Sequence, residues 1–372
     1  MTIKSHDVET NEAGNEEELS FAQFEEMYGD KPLRWYQIAA RNEIVQHLND
    51  GFKRIVVELP TGAGKTVVFA SSMSYPPLVK ALGVPADRKI RVLFIALTHR
   101  LLTQAEQTFT KDNNVDLILQ SAFSDIPDDV IKAGWDVTVI DECHHESISS
   151  IQYKLEKLGN KPIIGLTATP DRADGTLIKF EKFVKPISRE QAVDEGYLAE
   201  TDLYSFVDAP EKDKSQVVMD ILDTYHQKMD KTIVFMRTKK EAALVTRHIK
   251  SLGHNPVFLD SQSAAETERI LNDFSAGVYD FIVNCSKLGE GIDVKGCTSV
   301  LLGRTVGSYP LLSQIIGRSS RPDSDCRVWE IINPLSGYNL DTTVVVGTPR
   351  KHKLIYRKNN SWHEEQFEYV SQ

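Results

Sequence analysis

Two successive α/β lobes, each a parallel sheet with helices on both faces, are the fold this chain predicts. Three observations carry that expectation. Apolar, β-branched runs alternate with helix-like segments from residue 55 to about 200, and the alternation restarts near 201. One Gly-rich loop of phosphate-binding type stands in the first set, and the second set lacks one. Polar clusters follow several of the apolar runs, at the strand ends where parallel sheets bind ligands. The chain therefore divides into an acidic, disordered segment (1–30), a first lobe (31–200), a second lobe (201–345) and a basic, aromatic tail (346–372), with a cleft between the lobes.

At 372 residues, 41% of them hydrophobic, the chain is long enough for two domains with real cores. No apolar run approaches the ~20 residues needed to span a bilayer, and the acidic N-terminus is unlike a signal peptide. A membrane role is not expected. Cys143, Cys285, Cys297 and Cys326 form no CxxC pair, which points away from a disulfide framework or a zinc ribbon. Cytoplasmic residence follows, or nuclear in a eukaryote. The net charge of -10 argues against a nucleic-acid partner only superficially. Residues 1–30 hold nine acids against one lysine, and the remainder has 42 basic and 44 acidic residues. A nearly neutral body can still carry a basic groove.

In chain order, Leu33-Arg34-Trp35-Tyr36-Gln37 leads into a helix to about Leu48. The amide of Gln37 offers the donor and acceptor that an adenine edge needs, although a solvated glutamine is the plainer reading. Ile55-Val56-Val57 is a strand, followed by Leu59-Pro60-Thr61-Gly62-Ala63-Gly64-Lys65-Thr66 and a helix. Such a strand–turn–helix converges backbone N–H groups on an anion at a helix N-terminus. Lys65 would reach the outer phosphates, and the Thr66 hydroxyl would hold Mg²⁺. Leu59 stands where the usual pattern has its first glycine. Pro76-Pro77 and residues 83–89 read as loop. The strand 91–97 ends in Thr98-His99-Arg100-Leu101-Leu102-Thr103-Gln104, a capped helix entry suited to a ligand or to capping alone. Val137-Thr138-Val139-Ile140 delivers Asp141-Glu142-Cys143-His144-His145. Acids at such a strand end, downstream of a phosphate loop, would hold Mg²⁺ through water (Asp141) and activate the attacking water (Glu142). A zinc site is the competing reading, without a second ligand pair at suitable spacing. A third strand, 162–166, runs into Thr167-Ala168-Thr169-Pro170.

In the second set, strands are expected at 232–236, 257–259, 281–283 and 299–302, with helices at 239–252 and 264–274. A further helix carries Gln314-Ile315-Ile316-Gly317-Arg318-Ser319-Ser320-Arg321. Arg318 and Arg321 share one helical face and could meet a departing phosphoryl group from across the cleft, or form a plain surface pair. In the tail, Arg350, Lys351 and Lys353 are interleaved with His352 and Tyr356, and Asn359-Asn360 could turn a hairpin. That pattern suits phosphate contact and base stacking, and equally an edge strand guarded by lysines.

Taken in order, these segments resemble the superfamily 2 helicases and translocases, in particular the DExH group with the nucleotide-excision-repair helicases and restriction-enzyme motors. The resemblance covers roughly residues 32–335. Residues 33–37 are similar to the Q motif, 60–66 to motif I, 98–104 to motif Ia, 141–144 to motif II and 167–170 to motif III. Residues 232–236 are similar to motif IV, 288–293 to motif V and 314–321 to motif VI. A proline opening motif I is ordinary in that family, which accounts for Leu59. The resemblance implies RecA-like lobes with ATP and Mg²⁺ between them. It implies adenine recognition by Arg34 and Gln37, and phosphate binding by Thr61, Gly62, Ala63, Gly64, Lys65 and Thr66. Gly291 would belong to the nucleotide site and Asp293 would meet the ribose, Gln314, Arg318 and Arg321 would face the triphosphate, and Thr98 and Arg100 would touch nucleic-acid phosphates. Cys285 departs from the threonine of many relatives, and only 36 residues separate Gln104 from Asp141, which abbreviates motif Ib. The implied function is an ATP-dependent helicase or translocase acting on DNA in preference to RNA. It would be monomeric, with a protein partner that supplies specificity. An RNA helicase and an ATP-switched clamp are the alternatives.

Overall fold

The computed structural model describes residues 26–29, 31–109, 114–143, 161–168, 180–207, 213–285, 294, 296–306, 309–317, 319, 325–332, 342–358 and 361–366. Strands β1 (Met27–Tyr28) and β2 (Lys31–Pro32) form a small antiparallel pair ahead of helix α1 (Trp35–Asn49). The first large sheet is built from β3 (Arg54–Glu58), β4 (Ile90–Ala96), β5 (Val115–Ser121), β6 (Val137–Ile140), β7 (Ile163–Thr167) and β8 (Lys182–Val184). Its order is β5-β4-β6-β7-β3-β8, and every pair is parallel. Helices α2 (Lys65–Met73), α3 (Pro76–Ala81), α4 (His99–Phe109), α5 (Asp128–Ala133) and α6 (Arg189–Asp194) belong to this lobe. Strands β3, β6 and β7 are β-branched and buried on both faces, as a sheet covered by helices requires. Pro76 and Pro77 open α3 where a loop is expected. Proline is tolerated in a first helical turn, because the N–H it lacks would have no intrahelical partner there.

The second sheet contains β9 (Thr201–Val207), β10 (Thr232–Phe235), β11 (Pro256–Leu259), β12 (Phe281–Asn284), β13 (Ser299–Leu302), β14 (Cys326–Ile332), β15 (Lys351–Lys358) and β16 (Ser361–Gln366). Its order is β11-β12-β10-β13-β14-β9-β15-β16, parallel except for the terminal β15/β16 hairpin. Helices α7 (Lys214–Tyr225), α8 (Lys239–Ser251), α9 (Ala264–Ser275), α10 (Tyr309–Ile316) and α11 (Thr343–Val346) accompany it. Thr238 and Glu241 cap α8 reciprocally, the hydroxyl accepting from the Glu241 N–H and the carboxylate from the Thr238 N–H.

The tail is part of this lobe. Strand β15 pairs in parallel with β9, and buried Ile355 joins a core containing Phe206, Tyr225 and Trp329, with Trp362 packed against it. Tyr204 stacks on Trp329 at 4.0 Å between centroids. Arg350 grips the buried Asp202 carboxylate with both arms, at 2.8 and 2.9 Å, and lies 3.6 Å from Glu200. Lys353 donates to Glu364 at 2.5 Å. Both cations therefore face acids of their own fold, which departs from the expectation of a phosphate-binding tail. Sequence alone hides this because the acids lie more than 140 residues away for Arg350 and across a hairpin for Lys353. Ile355→Ala is expected to destabilise the second lobe by about 2–5 kcal/mol, measured by urea denaturation. A change under about 0.5 kcal/mol would mean the hairpin merely leans on the sheet.

Candidate active site

The phosphate-loop backbone takes its shape from two glycines, Gly62 at φ 91° and Gly64 at φ 86°. Gly64 is the N-cap of α2, which has no side-chain cap, so the helix opens toward the loop with backbone donors and positive potential. Lys65 and Thr66 are the first two residues of that helix. Gln37 and Tyr36 brace the loop from α1. The Tyr36 hydroxyl donates to Ala63 O at 2.8 Å, and Gln37 Nε2 donates to the same carbonyl at 3.3 Å. Gln37 Oε1 accepts from the Arg34 N–H at 2.9 Å, and Arg34 Nη1 donates to the Tyr36 hydroxyl at 2.8 Å. A Cβ at position 64 would sit 2.7 Å from Gln37 Nε2. Gln37 is thus 5% exposed and turned to the loop, while the Arg34 guanidinium lies over the Tyr197 ring at 5.0 Å.

Strand β6 brings the acids to the same crevice. Because β7 alone separates β6 from β3, residues beyond the two strand ends can meet. Backbone bonds tie them together: Leu59 N–H donates to Thr167 O, and Cys143 N–H donates to Leu166 O. Glu142 Oε1 lies 3.7 Å from Lys65 Nζ, and both side chains are largely buried. Asp141 is 6% exposed and accepts the Glu142 N–H at 3.1 Å. Burial pushes its carboxyl up to about 7, the Glu142 charge adds to the shift, and Lys65 opposes it. Among the described residues, Glu142 is the one non-glycine residue at positive φ, 49°. Holding a side chain there costs about 1–3 kcal/mol, and the turn aims the carboxylate at Lys65. Cys143 is buried with its sulfur against Gly165, where an added Cβ would meet Sγ at 2.7 Å and Phe180 at 2.6 Å. Its thiol is pushed well up by burial and the neighbouring acids. Gly165 went unnoticed in the sequence, since nothing local marks a strand glycine as the seat of a distant side chain.

The second lobe reaches the loop through α10. Thr61 Oγ1 lies 3.2 Å from Ser313 Oγ. A Cβ on Gly317 would fall 2.3 Å from Thr61 Cγ2. Residues Ser313 and Gly317, on either side of Gln314 in the sequence, therefore pack on the phosphate loop. Arg318, Arg321, Gly291, Asp293, Thr169 and His144 lie outside the described residues, as do the side chains of Gln314 and Arg100. Thr98 is half-buried at the end of β4, and Lys351 is exposed at the start of β15. Chemically, the crevice offers an uncapped helix N-terminus, one lysine, a hydroxyl and two carboxylates, a donor set that fits a polyphosphate with a divalent cation.

Residues 30–121 and 115–172 match the family model for the type III restriction enzyme, res subunit, and residues 213–323 match the helicase conserved C-terminal domain. The chain belongs to the superfamily 2 helicases and translocases. This superfamily 2 chain is similar to "Putative ATP-dependent helicase IRC3" of Saccharomyces cerevisiae, 28% identical over 350 residues that cover 79% of this chain and 50% of that protein. It is also similar to the type I restriction enzyme EcoAI endonuclease subunit of Escherichia coli, 24% identical and covering 79% of this chain and 44% of that one. The same RecA-like lobes occur in "The fragment structure of a putative HsdR subunit of a type I restriction enzyme from Vibrio vulnificus YJ016", with a TM-score of 0.69, 23% identity, and 88% of this chain and 69% of that chain covered. The chain spans about half the length of these two curated relatives. Among the described residues, no helix is long and apolar enough to cross a membrane.

Proposed function

We propose that this chain is an ATP-hydrolysing motor that moves along or remodels nucleic acid, with DNA as its track. The observation that carries the reading is the meeting of three parts at one crevice: the uncapped helix behind Lys65, the Asp141–Glu142 pair, and the second-lobe segment resting on Thr61. Phosphates would lie on the backbone of residues 61–66, with Lys65 neutralising the outer ones. The Thr66 hydroxyl and Asp141 would hold Mg²⁺, which neutralises phosphate charge when bound. A cation beside buried Asp141 would favour its ionised form. Glu142 would take the proton from the attacking water, with Lys65 and the turn at φ 49° fixing its carboxylate. Arg34 and Gln37 would border the adenine. Gly291, Asp293, Gln314, Arg318 and Arg321 would complete the site from the second lobe.

Thr98, Arg100 and Lys351 are assigned to the nucleic-acid backbone. Arg350 and Lys353, already engaged by Asp202 and Glu364, are assigned to the fold. The preference for DNA rests on relatives such as the E. coli restriction subunit and the "DNA 3'-5' translocase XPB2" of Sulfurisphaera tokodaii, 23% identical over 359 residues. ATPase rates with duplex DNA, single-stranded DNA and RNA test the proposal. DNA is expected to stimulate turnover at least about tenfold, as a coupling of roughly 1–3 kcal/mol allows. Stimulation by RNA alone would move the chain to RNA remodelling, and stimulation by neither would end the motor reading.

A further inference from the structure

Strand β5 ends at Ser121 at one edge of the first sheet, in register with Ala96 of β4. Beyond that pair the two segments leave the sheet at its strand-end side, Phe123 in the turn after β5 and Thr98 in the bend after β4. The pairing continues past the strand, with the Ala122 N–H donating to Ala96 O at 2.9 Å. Phe123 is 71% exposed, the highest exposure of any large hydrophobic side chain among the described residues.

Its loop is firmly held. Ala122 and Ile126, on either side of Phe123, are buried in a cluster with Leu97 and Trp135. Buried Gln120 donates through Nε2 to Ser124 Oγ at 2.7 Å, to Ser121 O at 3.0 Å and to Ser124 O at 3.1 Å. The Phe123 N–H donates to Ser121 Oγ at 3.3 Å. A ring fixed outward on an anchored turn leaves apolar surface in water that the core does not need. The residues that flank it on the chain and reach solvent, Ser121, Ser124 and Asp125, are polar, whereas a protein-docking anchor would sit among further apolar groups.

We infer that Phe123 is a stacking platform for an unpaired nucleobase, an inference that rests on the nucleic-acid function proposed above. The nucleotide crevice lies after β3 and β6. Strands β4, β6 and β7 stand between β5 and β3, so at ~4.8 Å per strand the ring is about 19 Å from the phosphate-loop strand. A ligand on Phe123 is therefore a separate ligand from the triphosphate. Asp125, Asp128 and Asp129 follow the ring and repel phosphate, so the polynucleotide backbone passes on the Thr98 side and turns a base toward Phe123. A flat ring accepts any base face and gives stacking without sequence preference.

The test is equilibrium binding of oligo-dT and of an oligonucleotide carrying 2-aminopurine, for wild type and for Phe123→Ala, Phe123→Leu and Phe123→Trp. Phe123→Ala and Phe123→Leu are expected to bind single strands roughly 5- to 150-fold more weakly. Phe123→Trp should keep or improve affinity. The slope of log K against log salt should stay the same in all of them, because phosphate contacts are untouched. Quenching of 2-aminopurine should occur with wild type and vanish with Phe123→Ala. Equal single-strand affinity of wild type and Phe123→Ala, or wild-type affinity in Phe123→Leu, would overturn the platform while leaving the motor reading intact. A wild-type protein that binds no nucleic acid would overturn both.

Discussion

Glu142→Gln is expected to bind ATP at close to wild-type affinity while its hydrolysis falls roughly 10²–10⁴-fold. The substitution keeps the shape of the side chain and removes its ability to take a proton. On the proposed reading, phosphate binding would rest on other groups, the α2 N-terminus and Lys65, so affinity and turnover should separate. The 3.7 Å approach of Lys65 to Glu142 adds one effect. With the opposing carboxylate gone, the lysine is freer to serve phosphate, and nucleotide affinity is expected to hold or to rise slightly. Lys65→Ala has the reverse pattern, losing both affinity and turnover. The measurements are phosphate release and titration with a fluorescent nucleotide. Near-wild-type phosphate release from Glu142→Gln would remove Glu142 from catalysis.

Arg321→Ala is expected to lower nucleic-acid-stimulated hydrolysis by roughly 10³-fold or more, as loss of an arginine finger does. Nucleotide affinity should remain within a few-fold of wild type, because on the proposed reading the first lobe would still hold the phosphates. The contact between Thr61 and the Ser313–Gly317 segment gives this expectation a geometric basis. Four residues after Gly317 comes Arg321, on a stretch whose start already lies on the phosphate loop. Gly317→Ala tests the approach separately. Its Cβ would collide with Thr61, so the two lobes could meet there only after a shift of the order of an ångström, enough to misplace a catalytic group. Stimulated turnover should fall without loss of the first lobe's nucleotide binding. Full stimulated activity in Arg321→Ala would exclude catalysis across the lobes.

Much of this was readable in the chain because chemistry and patterning coincide there. The runs Ile55-Val56-Val57 and Val137-Thr138-Val139-Ile140 are buried on both faces, and the polar residues after them sit where parallel strands present ligands. The same reasoning does not reach β5, whose sequence Val-Asp-Leu-Ile-Leu-Gln-Ser mixes edge polarity with core residues, although Asp112-Asn113-Asn114 just before it is a turn signal. It separated the tail from the second lobe, since nothing in residues 346–372 announces that β15 runs parallel to β9 and lends Ile355 to the core. Gln37, expected at the adenine, is seen bracing Ala63, a contact with a neighbour 26 residues away that the sequence does not announce. The misses at the tail and at Gln37 are long-range pairings, and composition in a local window is blind to those.

The left-handed backbone of Glu142 places two demands on one position. By conformation alone the site favours glycine, asparagine or aspartate, and any of these would relax the turn at the end of β6. By chemistry it needs a carboxylate on an arm long enough to reach Lys65. The residue that would make the protein more stable and the residue that would make it work are therefore different. If Glu142 is the base proposed above, a selection for thermal robustness at this position would favour inactive protein, and activity would be what keeps the strained turn in place.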